Sequence, residues 1–362
     1  MNPAVAAIVE RVRDAHASGR ALRIRGGGTK AFYGEAPTGD VLDAATLVGA
    51  ADHEPTELVV TAPAGMALVD LEALLAEKGQ CLAFEPPRFS AATTVGGMVA
   101  AGLAGPSRAA AGSVRDHVLG VSIVSGTGEL LQFGGRVIKN VAGYDVSRVV
   151  AGSLGILGVI VEVSLKATPR AESEATLRFD CKPGEALALL HAWGQRPLPL
   201  DASAWWNGSL VARLRGSEAA VGEAAATLGG ERIAAAAAAP FWQGLRDHTD
   251  PFFVAAQEAI DDHDATLWRL SLPATAPLLG LAGDELIEWH GAERWLVTAL
   301  PAADVRAAAA TVGGHATAFR ARAKPAGAFA PLAPPLLAIH ERLKRAFDPK
   351  GILNPGRLYP GL

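Results

Sequence analysis

Hydrophobic positions in the first half of the chain switch between two periods. Leu58-Val59-Val60-Thr61-Ala62 is a short β-branched run stopped by Pro63, which reads as a strand. Leu68, Leu71, Leu74 and Leu75 recur at helical spacing and stop at Gly79. Residues 118–125 and 129–133 are two strand patterns around Gly126-Thr127-Gly128, a hairpin signal. Residues 157–166 form another strand pattern, ended by Pro169. The segment from Pro3 to Arg11 reads as an amphipathic helix, and Ala21-Leu22-Arg23-Ile24 as a short strand. The fold class is therefore α+β, with antiparallel hairpins rather than clean βαβ units.

The pattern changes after Pro169-Arg170. All seven tryptophans lie between Trp193 and Trp295, and the glycine clusters thin out. Residues 321–335 are rich in Pro and Ala and read as a connection. Leu336, Ile339, Leu343 and Phe347 then share one face of a helix stopped by Asp348-Pro349-Lys350-Gly351. The chain divides into 1–170, 171–335 and 336–362.

Composition narrows the classes. Of 362 residues, 50% are hydrophobic and 19% charged, enough apolar material for a large core. With 33 basic and 37 acidic side chains the net charge is −4, which points away from nucleic acid as a partner. The two cysteines, Cys81 and Cys181, cannot supply the roughly four thiolates of an iron–sulfur cluster. They fit a reduced, cytoplasmic setting. The first residues lack the basic start and long apolar core of a secretory signal. No stretch is apolar enough to span a bilayer, since the alanine run 234–239 is too short. Any membrane association is at most peripheral, on the cytoplasmic face. The nine histidines are scattered, with no metal-ligand spacing, so no metal site is assigned.

Chemistry begins at Arg25-Gly26-Gly27-Gly28-Thr29-Lys30, directly after the first strand. Three glycines bare several N–H groups and can reach φ > 0, so the loop can form a nest for an anion. A Walker loop fails because the order is Gly-Thr-Lys. Gly26, Gly28 and Ala31 satisfy G-x-G-x-x-G/A literally, but residues 32–40 read as loop where that motif needs a helix. A phosphate loop between a strand and an irregular segment, and a glycine turn without a ligand, both remain open.

The loop has company. Further clusters are Thr93-Thr94-Val95-Gly96-Gly97, Gly112-Ser113-Val114-Arg115-Asp116, Lys139-Asn140-Val141-Ala142-Gly143-Tyr144-Asp145, Gly152-Ser153-Leu154-Gly155-Ile156-Leu157-Gly158 and Asn354-Pro355-Gly356. This ordered series resembles the PCMH-type FAD-binding domain of the vanillyl-alcohol oxidase superfamily. Gly313-Gly314-His315-Ala316-Thr317 and the Phe347-Asp348-Pro349 to Asn354-Pro355-Gly356 ending are similar to the E-subunit family of bacterial glycolate oxidases.

The resemblance implies an FAD domain of two subdomains, a small α+β cap domain, and a C-terminal helix and tail returning to the FAD domain. It implies an FAD-dependent oxidoreductase acting on the CH–OH group of 2-hydroxy acids. Its partners would be a larger flavoprotein subunit and an iron–sulfur subunit, together oxidising glycolate to glyoxylate. Carried over by position, Gly26, Gly27, Gly28 and Thr29 would bind pyrophosphate through their N–H groups. Thr94, Gly96 and Gly97 would meet the same pyrophosphate and the ribityl chain. Val159 and its neighbours would meet the adenine end by main-chain hydrogen bonds, and Asn354 would approach the isoalloxazine. The cofactor set also takes in Arg25, Lys30, Pro86, Thr93, Ala100, Gly105, Gly112, Asp116, Gly155 and Gly158, with Asp116 better suited to fixing the turn at Gly112.

Two departures from the superfamily matter. The stretch after the glycine loop has no His or Cys, so FAD would be held non-covalently. The metal-and-base element of related 2-hydroxyacid dehydrogenases is missing. No catalytic residue is assigned. His315 as a base, with Arg269, Arg294 or Arg320 as a carboxylate clamp, competes with purely structural roles, which are favoured. Two alternatives stay open: a stand-alone flavin-dependent 2-hydroxyacid dehydrogenase, and a non-catalytic assembly subunit with a vestigial FAD site.

Overall fold

Strand Val159–Lys166 is buried on both faces for most of its length and centres a five-stranded sheet. This computed structural model describes residues 2–137 and 145–362. The cluster quoted from Lys139 to Tyr144 lies outside the described residues. The sheet order is Asp52–Glu54, Val59–Pro63, Val159–Lys166, Val118–Val124, Leu130–Gly134, and every neighbouring pair is antiparallel. Leu68, Leu71 and Leu75 of helix Leu68–Ala76 are fully buried. In helix Pro3–Ser18, Val5, Ile8, Val9 and Val12 face inward.

Strand Leu22–Arg25 pairs in parallel with Asp40–Asp43, and Leu22 bridges Leu353 of the tail. Helix Pro334–Phe347 places Leu343 and Phe347 against Ile156, Leu157 and Leu362. Leu336 and Ile339, on the same stripe, stay 50% and 43% exposed, so only half of that face is covered. Lys344 is buried, yet its ammonium donates to the Ile156 carbonyl (2.9 Å), the Leu353 carbonyl (2.7 Å) and Asp348 (2.7 Å). These partners offset the cost of burying the charge.

The described residues divide into two units. The first comprises the chain up to Leu103, Ser113–Pro169 and Pro331–Leu362; the second comprises Ala104–Gly112 and Arg170–Ala330. This differs from the sequence division in three places: Arg170 falls in the second unit, the tail begins at Pro331, and a short excursion, Ala104–Gly112, joins the second unit. Ser107 shows why. Its hydroxyl receives the Arg213 guanidinium at 2.7 Å and donates to Asp201 at 3.0 Å, and Trp289 Nε1 donates to the Gly105 carbonyl at 3.0 Å.

The second unit is built on an eight-stranded antiparallel sheet. Helices Pro183–Gly194, Glu218–Leu228 and Ala302–Thr311 bury Leu187, Val221 and Val305 in three clusters against it. Of the seven tryptophans, all but Trp206 are buried. Among the described residues, no helix is long and apolar enough to cross a membrane.

Candidate functional site

Strand Leu22–Arg25 delivers the glycine loop to the wall of a cavity of about 830 Å³ within the first unit. That volume lies near the top of the range of about 300–1,000 Å³ for small-molecule pockets and suits a dinucleotide. Ala44, Ala64 and Ala100 keep the walls wide.

The glycines are required by the protein before any ligand is considered. A Cβ on Gly26 would overlap Thr94 Oγ1, and one on Gly27 would overlap the Ala92 carbonyl oxygen. The loop therefore touches the Ala92 backbone at Gly27 and the Thr94 side chain at Gly26. Gly28 has φ +71°, a left-handed conformation that glycine adopts without strain. Phe32 to Gly39 is irregular, as its sequence suggests.

Donors divide unequally between the two loops. Thr94 caps helix Val95–Ala101, its hydroxyl accepting from Gly97 N at 3.2 Å. Val95 N donates to the Met66 carbonyl (3.0 Å), Gly96 N to the Ala64 carbonyl (2.8 Å) and Met98 N to the Thr94 carbonyl (2.9 Å). The first N–H groups of this helix are thus committed to protein. The N–H groups of Gly26, Gly27, Gly28 and Thr29 make no hydrogen bond to another described residue, and all four residues line the cavity. Among the described residues, Arg23, Arg25, Lys30 and Arg357 line it too, against one acid, Asp43. Bared amides under an excess of positive charge make a site for an anion.

The far wall is a turn. Gly152 and Leu154 donate to the Val99 (3.0 Å) and Ala100 (2.9 Å) carbonyls, and Gly155 has φ +78°. A Cβ on Gly155 would lie 2.7 Å from Asn354 Nδ2, so the tail closes against it. Asn354 accepts from Ile24 N through Oδ1 (2.7 Å) and donates to the Leu154 carbonyl through Nδ2 (2.7 Å). Both ends of its amide are bound to protein, so it straps the cavity, although it also lines it.

Of the candidates from sequence, Arg25, Gly26, Gly27, Gly28, Thr29, Lys30, Thr94, Gly96, Gly97, Ala100, Gly155, Gly158 and Asn354 line this cavity. Pro86, Thr93, Gly105, Gly112, Asp116 and Val159 do not. Thr93 is one layer behind, its hydroxyl 2.9 Å from that of Thr29. Val159 is a strand residue behind the wall, and its neighbours Gly158 and Ile160, named with it from the sequence, reach the cavity. Asp116 accepts from Ser113 N and Oγ at 2.8 Å in a capping box beside Gly112. The Ser113 amide, opposed by partial burial, holds this carboxyl below its usual range. Gly105 and Gly112 belong to the second unit.

Sequence reasoning missed Arg23, Asp43, Ser90 and Arg357. Arg357 has the clearest role: its guanidinium donates to the carbonyls of Lys30 (3.2 Å), Ala31 (2.9 Å) and Glu35, pinning the segment after the glycine loop. Burial pushes it down to about 10. An arginine directly after Gly356 signals none of this.

His315 and the three candidate arginines belong to the second unit. His315 opens strand His315–Arg320 with much of its surface in solvent, and the partial burial of its ring, with Arg269 nearby, lowers its basicity. Arg294 is fully buried and donates to the Gly291 (3.1 Å) and Ala276 (2.9 Å) carbonyls, a structural role. Arg269 pairs with Glu293 over the Trp289 ring.

Residues 4–134 match a family model described as an FAD binding domain, and residues 330–358 match the C-terminal domain of FAD linked oxidases. The chain is 44% identical over 356 residues to the glycolate oxidase subunit GlcE of Escherichia coli (strain K12), covering 98% of this chain and 97% of that protein. It is 32% identical over 157 residues to the glycolate oxidase subunit GlcD of Bacillus subtilis (strain 168), covering 42% of this chain and 33% of that one. A solved structure of alkyldihydroxyacetonephosphate synthase matches the fold with a TM-score of 0.66 at 14% identity, over 97% of this chain and 74% of that chain.

Proposed function

Because the chain belongs to the family of the glycolate oxidase subunit GlcE, we propose that it is the FAD-binding subunit of a glycolate oxidase complex. One observation carries the reading: the uncommitted N–H groups of Gly26 to Thr29, under a surplus of arginine and lysine, in a cavity of dinucleotide size. They fit the diphosphate of FAD. Lys30 and Arg25 add charge beside it. The Thr94 hydroxyl, which accepts from Gly97, still has its own proton to donate. Ile160 and Leu154 supply apolar wall for the rings. No His, Cys or Tyr lines the cavity among the described residues, which supports non-covalent binding.

When bound, the flavin supplies the electron acceptor for a 2-hydroxy acid losing a hydride from its carbinol carbon. The chain's residues bind and orient that group. The two cysteines leave iron–sulfur chemistry to another subunit, and we place a flavoprotein subunit of the GlcD type and an iron–sulfur subunit beside this chain. We place the chain in the cytoplasm, at most peripheral on the cytoplasmic face of the membrane.

An absorbance spectrum of the purified chain, before and after acid precipitation, tests this. Flavin released into the supernatant supports non-covalent FAD. Anaerobic bleaching by glycolate would make this chain oxidise substrate by itself, whereas an unbleached flavin places oxidation in a partner. A colourless chain that cannot be reconstituted overturns the reading.

A further inference from the structure

Among the described residues four cations line the cavity of the first unit, and three of them are engaged by protein. Arg25 Nη2 lies 3.6 Å from Asp43 Oδ2. The Lys30 ammonium sits over the Phe89 ring, 5.3 Å from its centroid. Arg357 donates to the carbonyls of Lys30, Ala31 and Glu35. Arg23 is the exception. It is half-buried, its Nε is shut off from solvent, and it makes no hydrogen bond or ion pair with any described residue.

Strand pairing explains why. Leu22–Arg25 runs parallel to Asp40–Asp43, and Arg23 stands opposite Val41 in that register. Both acids of the facing strand are taken: Asp40 by Arg11 (3.6 Å) and Arg20 (3.8 Å), Asp43 by Arg25. Residues two apart on a strand share a face, so Arg23 lies on the side of Arg25. The Arg25 stem in turn runs beside the glycine loop, its Cδ 3.9 Å from where a Cβ on Gly28 would be. The unengaged guanidinium therefore stands on the strand that carries the bared amides, in the wall of the same cavity.

A half-buried charge without a partner costs stability. Here the missing partner is an anion that the protein does not provide. We propose that Arg23 is a specificity-determining residue of the cofactor site, its guanidinium pairing with phosphate oxygens of the dinucleotide whose diphosphate meets the amides of Gly26 to Thr29. A guanidinium fork matches phosphate in shape and charge. Arg23 thereby makes the cavity favour a phosphate-bearing flavin over the bare ring system. The inference rests on the flavin reading of the first unit.

The test titrates deflavinated chain by calorimetry with FAD, with ADP, which carries the same diphosphate, and with riboflavin, which carries no phosphate. FAD and ADP should bind roughly tenfold more weakly to Arg23→Met, and riboflavin equally to both chains. Arg23→Lys keeps the charge and should recover part of the loss, and rising salt should narrow the difference between the unaltered chain and Arg23→Met. The melting temperature of the ligand-free Arg23→Met chain should not fall, because no contact within the protein is lost. Equal FAD affinity in Arg23→Met overturns the proposal and leaves the flavin reading standing. A loss of affinity that comes with a lower ligand-free melting temperature and no recovery in Arg23→Lys also overturns it, since a packing role gives that result. ADP binding that depends on Arg23, in a chain that does not take FAD, counts against the flavin reading and not against Arg23. Binding of none of the three overturns both.

Discussion

Asn354 and Ile24, 330 residues apart, are joined by a 2.7 Å hydrogen bond from the Ile24 N–H to the Asn354 carboxamide. The bond fixes the strand that feeds the glycine loop. Asn354 has φ 42°, tolerable for asparagine and costly for most residues. Asn354→Gly keeps the backbone and removes the strap, leaving the Ile24 N–H without its partner at a cost of about 1–3 kcal/mol. Flavin content per chain should fall several-fold, measured by absorbance after gel filtration. Full occupancy would show that the strap is dispensable.

Gly27 and Gly28 should respond differently. In Gly27→Ala the new methyl meets the Ala92 carbonyl oxygen, so the two loops must part. In Gly28→Ala the methyl has only Arg25 within 4 Å, and the penalty is the left-handed backbone, roughly 1–2 kcal/mol. The first variant should purify with little flavin and the second with most of it. The reverse order would refute the loop-to-loop contact as the reason for Gly27.

Arg357→Met removes the donor that holds the Lys30, Ala31 and Glu35 carbonyls. The segment after the glycine loop then loosens while the loop's own contacts remain. FAD affinity should drop about tenfold, equivalent to roughly 1.4 kcal/mol. Titration of deflavinated chain with FAD, followed by flavin fluorescence, checks this.

Glu288 and Glu293 face each other in register in the second unit, both buried, with Arg269 bound to Glu293 and Trp295 Nε1 donating to Glu288 at 2.8 Å. Burial and then the neighbouring Glu293 push the Glu288 carboxyl well up from its ordinary value. The folded chain thus keeps a proton that the unfolded chain releases, and stability falls as pH rises above about 4.5. Glu288→Gln imitates the protonated form. Its melting temperature should exceed that of the unaltered chain at pH 8, by roughly 2–4 °C for each kcal/mol gained. The gap should close towards pH 4.5, and a gap independent of pH would exclude the shared-proton account.

Glycine clusters made most of the cofactor cavity legible, because a Cβ on Gly26, Gly27 or Gly96 would collide with Thr94, Ala92 or Ala64. The tail was legible at Asn354 through its place in the motif series. Arg357 was not, since its targets are three carbonyls more than 320 residues away. Gly105 looked like another cofactor glycine, yet its carbonyl is held by Trp289, a partner 184 residues away that no local pattern announces. Periodicity located helix Pro334–Phe347 but could not say that Leu336 and Ile339 would stay uncovered, which depends on what packs beside them.

The strap between Ile24 and Asn354 also sets a clock. At about 5–20 residues per second, the 330 residues separating them take roughly 15–65 s to synthesise. Throughout that interval the glycine loop exists without the residue that anchors its strand or the arginine that pins its exit. Firm FAD capture therefore waits until residue 357 has been made. A chain cut short before residue 354 lacks both fastenings, so it should hold flavin less firmly than the full chain.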